Sequence, residues 1–250
     1  MSWRELDAEL DRWRGEGRIA DFWWRDDDAA KPCAPLSTLL KLAEHSAVPL
    51  ALAVVPLQAV PDLFEGLEAC VLMHGTDHKN RAAVGEKKTE FSAAEPEGGA
   101  IARLAAARSR LARAAGKRFL PVLAPPWNRF RQALAARLPE AGLNGLSGYG
   151  PRDKAEAGTG VRQVNTHVDI VDWRGTRAFI GEEAALRRAL EHLVSRRTGA
   201  VDGNEPTGWL THHARHDAAA CEFLERLFER TRARGARWID PVELFPSRAR

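Results

Sequence analysis

Several things are scarce in this 250-residue chain, and each scarcity removes a class of protein. There are three cysteines, Cys33, Cys70 and Cys221. They lie far apart, are odd in number and form no Cys-x-x-Cys pair, which excludes a disulfide framework, a redox dithiol and a cysteine-rich zinc knot. No run of about 18 apolar residues occurs, so no membrane span is read. The first 17 residues are charged and amphipathic, without an apolar h-region or a small-residue cleavage site, and the expectation is a cytoplasmic protein. Excess charge of one sign is lacking too: 37 Lys and Arg against 34 Asp and Glu leave +3. That surplus is too small for a nucleic-acid or anionic-membrane footprint, and neither partner is expected. The arginines sit in Ala/Leu/Arg helices, where they read as solvated faces.

What is present is ordinary globular usage, 44% hydrophobic and 28% charged, enough to bury a sizeable core. Helical spacing marks Ser2 to Trp13, Pro35 to His45, Glu97 to Ala115, Phe130 to Leu138, Glu182 to Arg196 and Asp217 to Arg234. Apolar, β-branched runs mark strands at Ile19 to Trp24, Pro49 to Val55, Cys70 to Met73, Phe119 to Leu123, Leu143 to Leu146, Val161 to Ile170, Arg177 to Ile180, Gly208 to Thr211 and near Trp238. Gly148 to Gly160 reads as a glycine-rich loop. Short apolar strands alternating with helices imply an α/β protein with a parallel sheet covered on both faces, closed or nearly closed. No linker or repeat divides it, so residues 1–250 are read as one domain, with an N-terminal helix (1–17) packed on the barrel.

Polar residues gather where strands end: Arg25 to Asp28, His74 to His78, residues 125 to 129, His167 to Trp173 and Thr211 to Asp217. In parallel α/β folds the loops at the carboxyl ends of the strands converge on one face, so these clusters are expected to share a site. Asp26, Asp27 and Asp28 repel one another and need a cation, Arg25 or solvent to compensate. They read either as an exposed acidic turn or as metal ligands, and the aromatic strand before them favours burial. His74-Gly-Thr-Asp-His78 would place two imidazoles one turn apart on a helix, near enough to share an ion. With an aspartate from the first strand they would make two histidines, a carboxylate and an open position, a common catalytic zinc arrangement. Of the cluster His212, His213 and His216, His212 is taken as inward-facing; a histidine titrating near neutrality can protonate a leaving amine.

The order and spacing of these clusters resembles the polysaccharide deacetylase (NodB-homology) superfamily, carbohydrate esterase family 4 and its relatives. The match runs from Trp24 to Asp28, through His74 to His78, Ala124-Pro125-Pro126-Trp127 and Asp169-Ile170-Val171-Asp172-Trp173, to Leu210-Thr211-His212. The resemblance implies a single distorted (β/α) barrel of about seven parallel strands. It also implies that Asp28, His74 and His78 bind a divalent metal, Zn2+ first and Co2+ or Ni2+ as alternatives, that Asp27 is the general base and that His212 is the general acid. The backbone N–H of Trp127 would stabilise an oxyanion, since Pro126 has none. Asn128, Arg129, Asp172 and Trp173 would line the substrate site, while Arg25, Asp26, His167, Asp169 and His213 are further candidates.

There are departures from the family pattern. The triple aspartate allows a second register, with Asp26 and Asp27 as the functional pair; the later pair is preferred because Ala29 then stands where the family has a small residue. The arginine that opens the third motif and pairs with the base is replaced by Leu123 or Ala124, and Arg129 or Arg25 are the candidates to replace it. Gly75 stands where Ser or Thr is usual, so a histidine-supporting hydroxyl would come from Thr76. The loop from Lys79 to Pro96 reads as a lid or as a surface excursion. The expected reaction is metal-assisted removal of an N-acetyl group from an amino sugar or oligosaccharide. The alternatives are hydrolysis of a non-sugar C–N bond in another small amide and a non-catalytic carbohydrate-binding relative. The oligomeric state is not legible.

Overall fold

Short, continuously apolar segments become strands because only strands covered on both faces tolerate such runs. In the computed structural model, which describes residues 1–246, they are β1 (Asp21–Ala29), β2 (Ala51–Val54), β3 (Cys70–His74), β4 (Phe119–Ala124), β5 (Gly145–Leu146), β6 (Glu156–Gly158), β7 (Val161–Gln163), β8 (Val168–Asp169), β9 (Thr207–Thr211) and β10 (Arg237–Trp238). They form one sheet in the order β6-β7-β5-β4-β3-β2-β1-β9-β8, with β10 on β1. The β6–β7 ladder is antiparallel and the others are parallel. The helices are α1 (Trp3–Gly15), α2 (Ala34–Ser46), α3 (Glu97–Ala115), α4 (Gln132–Ala135), α5 (Glu182–Thr198), α6 (Ala218–Ala233) and α7 (Pro241–Leu244). A lone parallel bridge between Tyr149 and Thr166 draws the two arms of the sheet together, with Gly150 N–H donating to Thr166 O at 2.8 Å. The result is a distorted (β/α) barrel of ten strands, several only two or three residues long, where about seven were expected.

Period-two alternation sorts β1 between two cores. Trp23 points inward with Ala51, Ala53, Leu72, Val122 and Ala124, and this inner core is closed from below by Ile239, Leu244 and Phe245. Phe22 and Trp24 point outward into the helical layer made by α1, α5 and α6. The inner space is tight: a Cβ on Gly208 would lie 2.4 Å from Trp23 Nε1, and one on Gly145 would lie 2.6 Å from Val122. Helix α1 packs against α5 and α6 through Leu6, Leu10 and Trp13, with Arg230 and Arg197 reaching Asp7 and Glu9.

Five segments differ from the sequence expectation. β1 runs on through the acidic run instead of stopping at Trp24. The helix expected over 130–138 shrinks to α4, and a 3-10 turn with Pro139 in its first turn, Leu138–Ala141, follows. The strand expected over 161–170 breaks between β7 and β8, where Asn165 turns aside to give its N–H to Glu205 and its side-chain amide to Gly150 O. The segment 177–180 contributes only the Val171–Phe179 bridge, and the loop 148–160 contains β6.

Candidate active site and metal centre

The carboxyl ends of β1, β3, β4, β8 and β9 surround a cavity of about 430 Å3 whose walls include Asp27, Asp28, His74, His78, Trp127, Asn128, Arg129, Asp169, Trp173 and His212. Strand alternation places Arg25 and Asp27 on the inner face, above Trp23, and Asp26 on the outer one. Asp28 would follow Asp26 outward in a regular strand. Instead it adopts a left-handed backbone, φ 73°, and the β1–β2 register shifts between Asp26 and Ala29. Asp27 and Asp28 therefore face the same cavity although they are neighbours in sequence.

His74 ends β3 and His78 follows a tight turn rather than lying on a helix, with Gly75 at φ 60° and His78 at φ 57°. Their Nε2 atoms lie 3.1 and 3.2 Å from Asp28 Oδ1, and one donor atom from each of the three residues falls within 4.8 Å of the others. Two imidazoles and a carboxylate converging on one point are a donor set that suits Zn2+ or a similar ion. Burial raises the Asp28 carboxyl, but the hydrogen bonds of His74 and His78 and the charges of His74 and His212 outweigh it and hold the group well below its usual range. For His74 burial pulls the imidazolium down, and the charges of Asp27 and Asp28 with the Asp28 hydrogen bond reverse the direction to upward.

Asp27 is held by Arg25. The guanidinium is fully buried: Nη2 donates to Asp27 Oδ2 at 3.0 Å and to Asn128 Oδ1 at 2.7 Å, and Nη1 donates to Ser147 O at 2.7 Å, while Nε lies 2.8 Å from Asp27 Oδ1. Of the two arginines that could replace the missing third-motif residue, this one reaches the aspartate; Arg129 instead donates to Lys88 O. His212 sits edge-on to Trp173 at 4.7 Å, its Nδ1 3.9 Å from Asp169 Oδ1. Asp169 accepts from Trp173 Nε1 at 2.7 Å, and burial pushes its carboxyl up. Trp127 takes a left-handed backbone, φ 56°, its ring 4.5 Å from His78. The local turn is closed by the N–H groups of Asn128 and Arg129 on Pro125 O and Pro126 O.

Other candidates fall outside the cavity. Asp26 accepts from Thr211 Oγ1, His213 N–H and His213 Nδ1 at 2.7, 2.9 and 2.5 Å, so Asp26 and His213 tie β1 to the turn after β9 from behind. Asp172 accepts from the N–H groups of Arg174, Gly175 and Thr176 and shapes that turn. His167 is buried elsewhere, its ring stacked on His192 at 3.5 Å with Glu205 Oε2 3.3 Å from Nε2. His167, His192 and Glu205 carry metal-type donor atoms, but Gly208 N–H donates to His167 Nδ1. That leaves the proton on Nε2, and a single ion cannot lie in the planes of two stacked rings. This cluster is read as structural.

Glu90 was not legible as a site residue. It lies in the loop 79–96, which brings Lys88 to the cavity wall and, through Glu90, forms a strut beneath the histidine turn. The fully buried Glu90 carboxylate accepts from the N–H groups of Thr76 and His78 at 2.8 and 3.3 Å, from Thr76 Oγ1 and from Arg103. The Thr76 hydroxyl thus serves Glu90 rather than a histidine. Gly75 is required there, since a Cβ would lie 2.1 Å from Glu90 Oε2 and 2.6 Å from Pro126.

No protein-family model and no curated protein matches the sequence. Solved structures do match. A peptidoglycan N-acetylglucosamine deacetylase is 14% identical at a TM-score of 0.55, covering 96% of this chain and 99% of its own. A family 4 acetyl xylan esterase from Clostridium thermocellum, solved with cobalt, is 13% identical at 0.54, covering 90% of each chain. A family 4 pseudoenzyme from Bacillus anthracis is 12% identical at 0.59, covering 91% of this chain and 66% of its own. Identities of this size speak to architecture alone, and the architecture shared with these structures is the distorted (β/α) barrel.

Proposed function

We propose that this protein is a metal-dependent hydrolase that removes the N-acetyl group from an amino sugar, releasing acetate and a free amine. The carrying observation is the convergence of Asp28, His74 and His78 on one point of a cavity that also holds Asp27 and His212. These three side chains would hold a divalent ion, Zn2+ first, which supplies Lewis acidity toward the acetyl carbonyl and toward water. Asp27, fixed by Arg25, takes the proton from the attacking water. His212, oriented against Trp173, delivers a proton to the departing amine. The Trp127 N–H, which has no acceptor among the described residues, is available to the developing oxyanion, and the Trp127 and Trp173 rings form the walls against which a sugar packs.

One pseudoenzyme shares the barrel, so the fold alone does not carry activity. The complete set of two carboxylates and three histidines around one cavity is what supports turnover over a binding role. The test is metal content by elemental analysis together with acetate release from N-acetylglucosamine oligomers. Near-stoichiometric metal that is lost in His74→Ala and Asp28→Ala, with Asp27→Asn keeping metal but losing at least about 100-fold in turnover, supports the reading. A wild-type protein that takes up no Zn2+, Co2+ or Ni2+ overturns it.

A further inference from the structure

The cavity that holds the acidic centre has a basic mouth. Lys88, Arg129, Arg177 and Arg215 all line it, and each comes from a different loop: those after β3, β4, β8 and β9. Among the described residues none of the four makes an ion pair within 4.0 Å. Many arginines elsewhere are engaged, as Arg230 is with Asp7 and Arg152 with Asp202. Arg177 is held in a left-handed backbone, φ 57°, at the tip of the turn built on Asp172. Arg129 is fixed by its hydrogen bond to Lys88 O.

Four like charges around one opening repel one another, and a chain with a net charge of only +3 has no general surplus to place there. A cleft rimmed by one sign of charge concentrates ligands of the other sign, and the planar arginine fork matches the oxygens of phosphate and carboxylate. A neutral glycan would leave all four charges without partners. We infer that the mouth of the cavity is an anion-recognition subsite, and that the substrate is an N-acetylated amino sugar bearing an oxyanion, a phosphate in the first instance. The acetamide would reach the Asp28, His74 and His78 end while the oxyanion stays at the rim. The inference rests on the deacetylase reading for the chemistry at the inner end, but the rim's preference for anions stands apart from it.

Two measurements separate the two readings. With zinc-loaded protein, acetate release is compared for N-acetylglucosamine 6-phosphate, for N-acetylmuramic acid, whose oxyanion is a carboxylate, and for neutral N-acetylglucosamine trimer. The expected result is kcat/KM at least tenfold higher for the phosphorylated sugar, falling as ionic strength rises. The Arg177→Gln/Arg215→Gln variant should lower the ratio of phosphorylated to neutral kcat/KM at least tenfold. Preference for the carboxylate arm would reassign the oxyanion and keep the subsite. A neutral sugar turned over equally well and without salt dependence overturns the proposal. In parallel, N-acetylglucosamine 6-phosphate is titrated calorimetrically into metal-free protein, where binding should weaken at least fivefold in the double variant. Binding that weakens while no sugar is deacetylated would overturn the hydrolase and keep the subsite. Binding that is absent, or unchanged in the variant, overturns the subsite whatever the activity.

Discussion

Replacing Arg25 with methionine removes a guanidinium that is fully buried and donates to Asp27, Asn128 and both oxygens of Ser147. Methionine fills much of the same volume, so the loss is electrostatic rather than a cavity. What remains is a carboxylate with 2% of its side chain exposed, no adjacent cation and three further acceptors without donors. Breaking a buried pair from one side costs about 3–5 kcal/mol because a charge is left uncompensated. With a urea slope of about 2–3 kcal/mol per molar, the unfolding midpoint should fall by roughly 1–2 M. Tryptophan fluorescence can follow the transition, since Trp23, Trp24 and Trp209 are fully buried. Adding Asp27→Asn to Arg25→Met should recover part of the loss, because the orphaned charge is then gone. A coupling energy above about 1 kcal/mol is expected for two groups in direct contact. A loss below about 1 kcal/mol in Arg25→Met, or simple additivity in the double variant, would refute the account of Arg25 as the partner that pairs with Asp27 and holds it in place.

Three further outcomes follow from the geometry. Gly75→Ala places a Cβ against Glu90 and Pro126 at φ 60°; it should lower zinc affinity by at least about tenfold, and an unchanged affinity by competition with a chelator would contradict the placement of the turn. Glu90→Gln keeps the shape but removes the charge that faces Arg103 and the N–H groups of the histidine turn; metal affinity should fall about 10–100-fold, in line with other outer-shell supports, with the fold retained by circular dichroism. Burial, helped by the charges of His167 and Arg196, pushes His192 down to about 2, and burial also lowers His167. Both are neutral when folded and titrate near 6.5 when unfolded, so their contribution to stability is complete above pH 6.5 and is lost as pH falls. His192 should remove about 1.4 kcal/mol per pH unit between about pH 6.5 and its folded value of about 2, and His167 acts in the same direction. His192→Gln should reduce the acid-side slope of urea stability by close to one proton, and an unaltered slope would show that His192 is protonated in the folded state.

Much of the architecture and of the inner site was legible because it depends on local periodicity and on spacing along the chain. The apolar runs at 50–54 and 70–73 specify buried strands wherever they occur, and the positions of Asp28, His74, His78, Trp127 and His212 at strand ends follow from that. The arginine serving Asp27 was legible too, through a signal easily passed over: residues two apart in a strand share a face, so Arg25 and Asp27 are neighbours by construction once the strand continues past Trp24.

What the sequence could not decide were the features set by contacts between distant segments. A regular strand would have turned Asp28 away from Asp27; only the left-handed backbone at Asp28, where β1 slips against β2, brings both to one cavity, while Asp26, turned outward by the alternation, meets His213. Glu90 sits in a loop without periodicity, and nothing local marks it as the group that holds the histidine turn from 12 residues away. The basic mouth is equally invisible in the chain, because Lys88, Arg129, Arg177 and Arg215 are scattered over 128 positions. Hydrogen bonding to neighbours along the chain fixes helices, and apolar periodicity marks the strands, whose own hydrogen bonds go to distant segments such as β9 and β10 on β1. Which faces meet, and which charges are left facing one another across a cavity, is fixed only when the sheet curls and its loops converge.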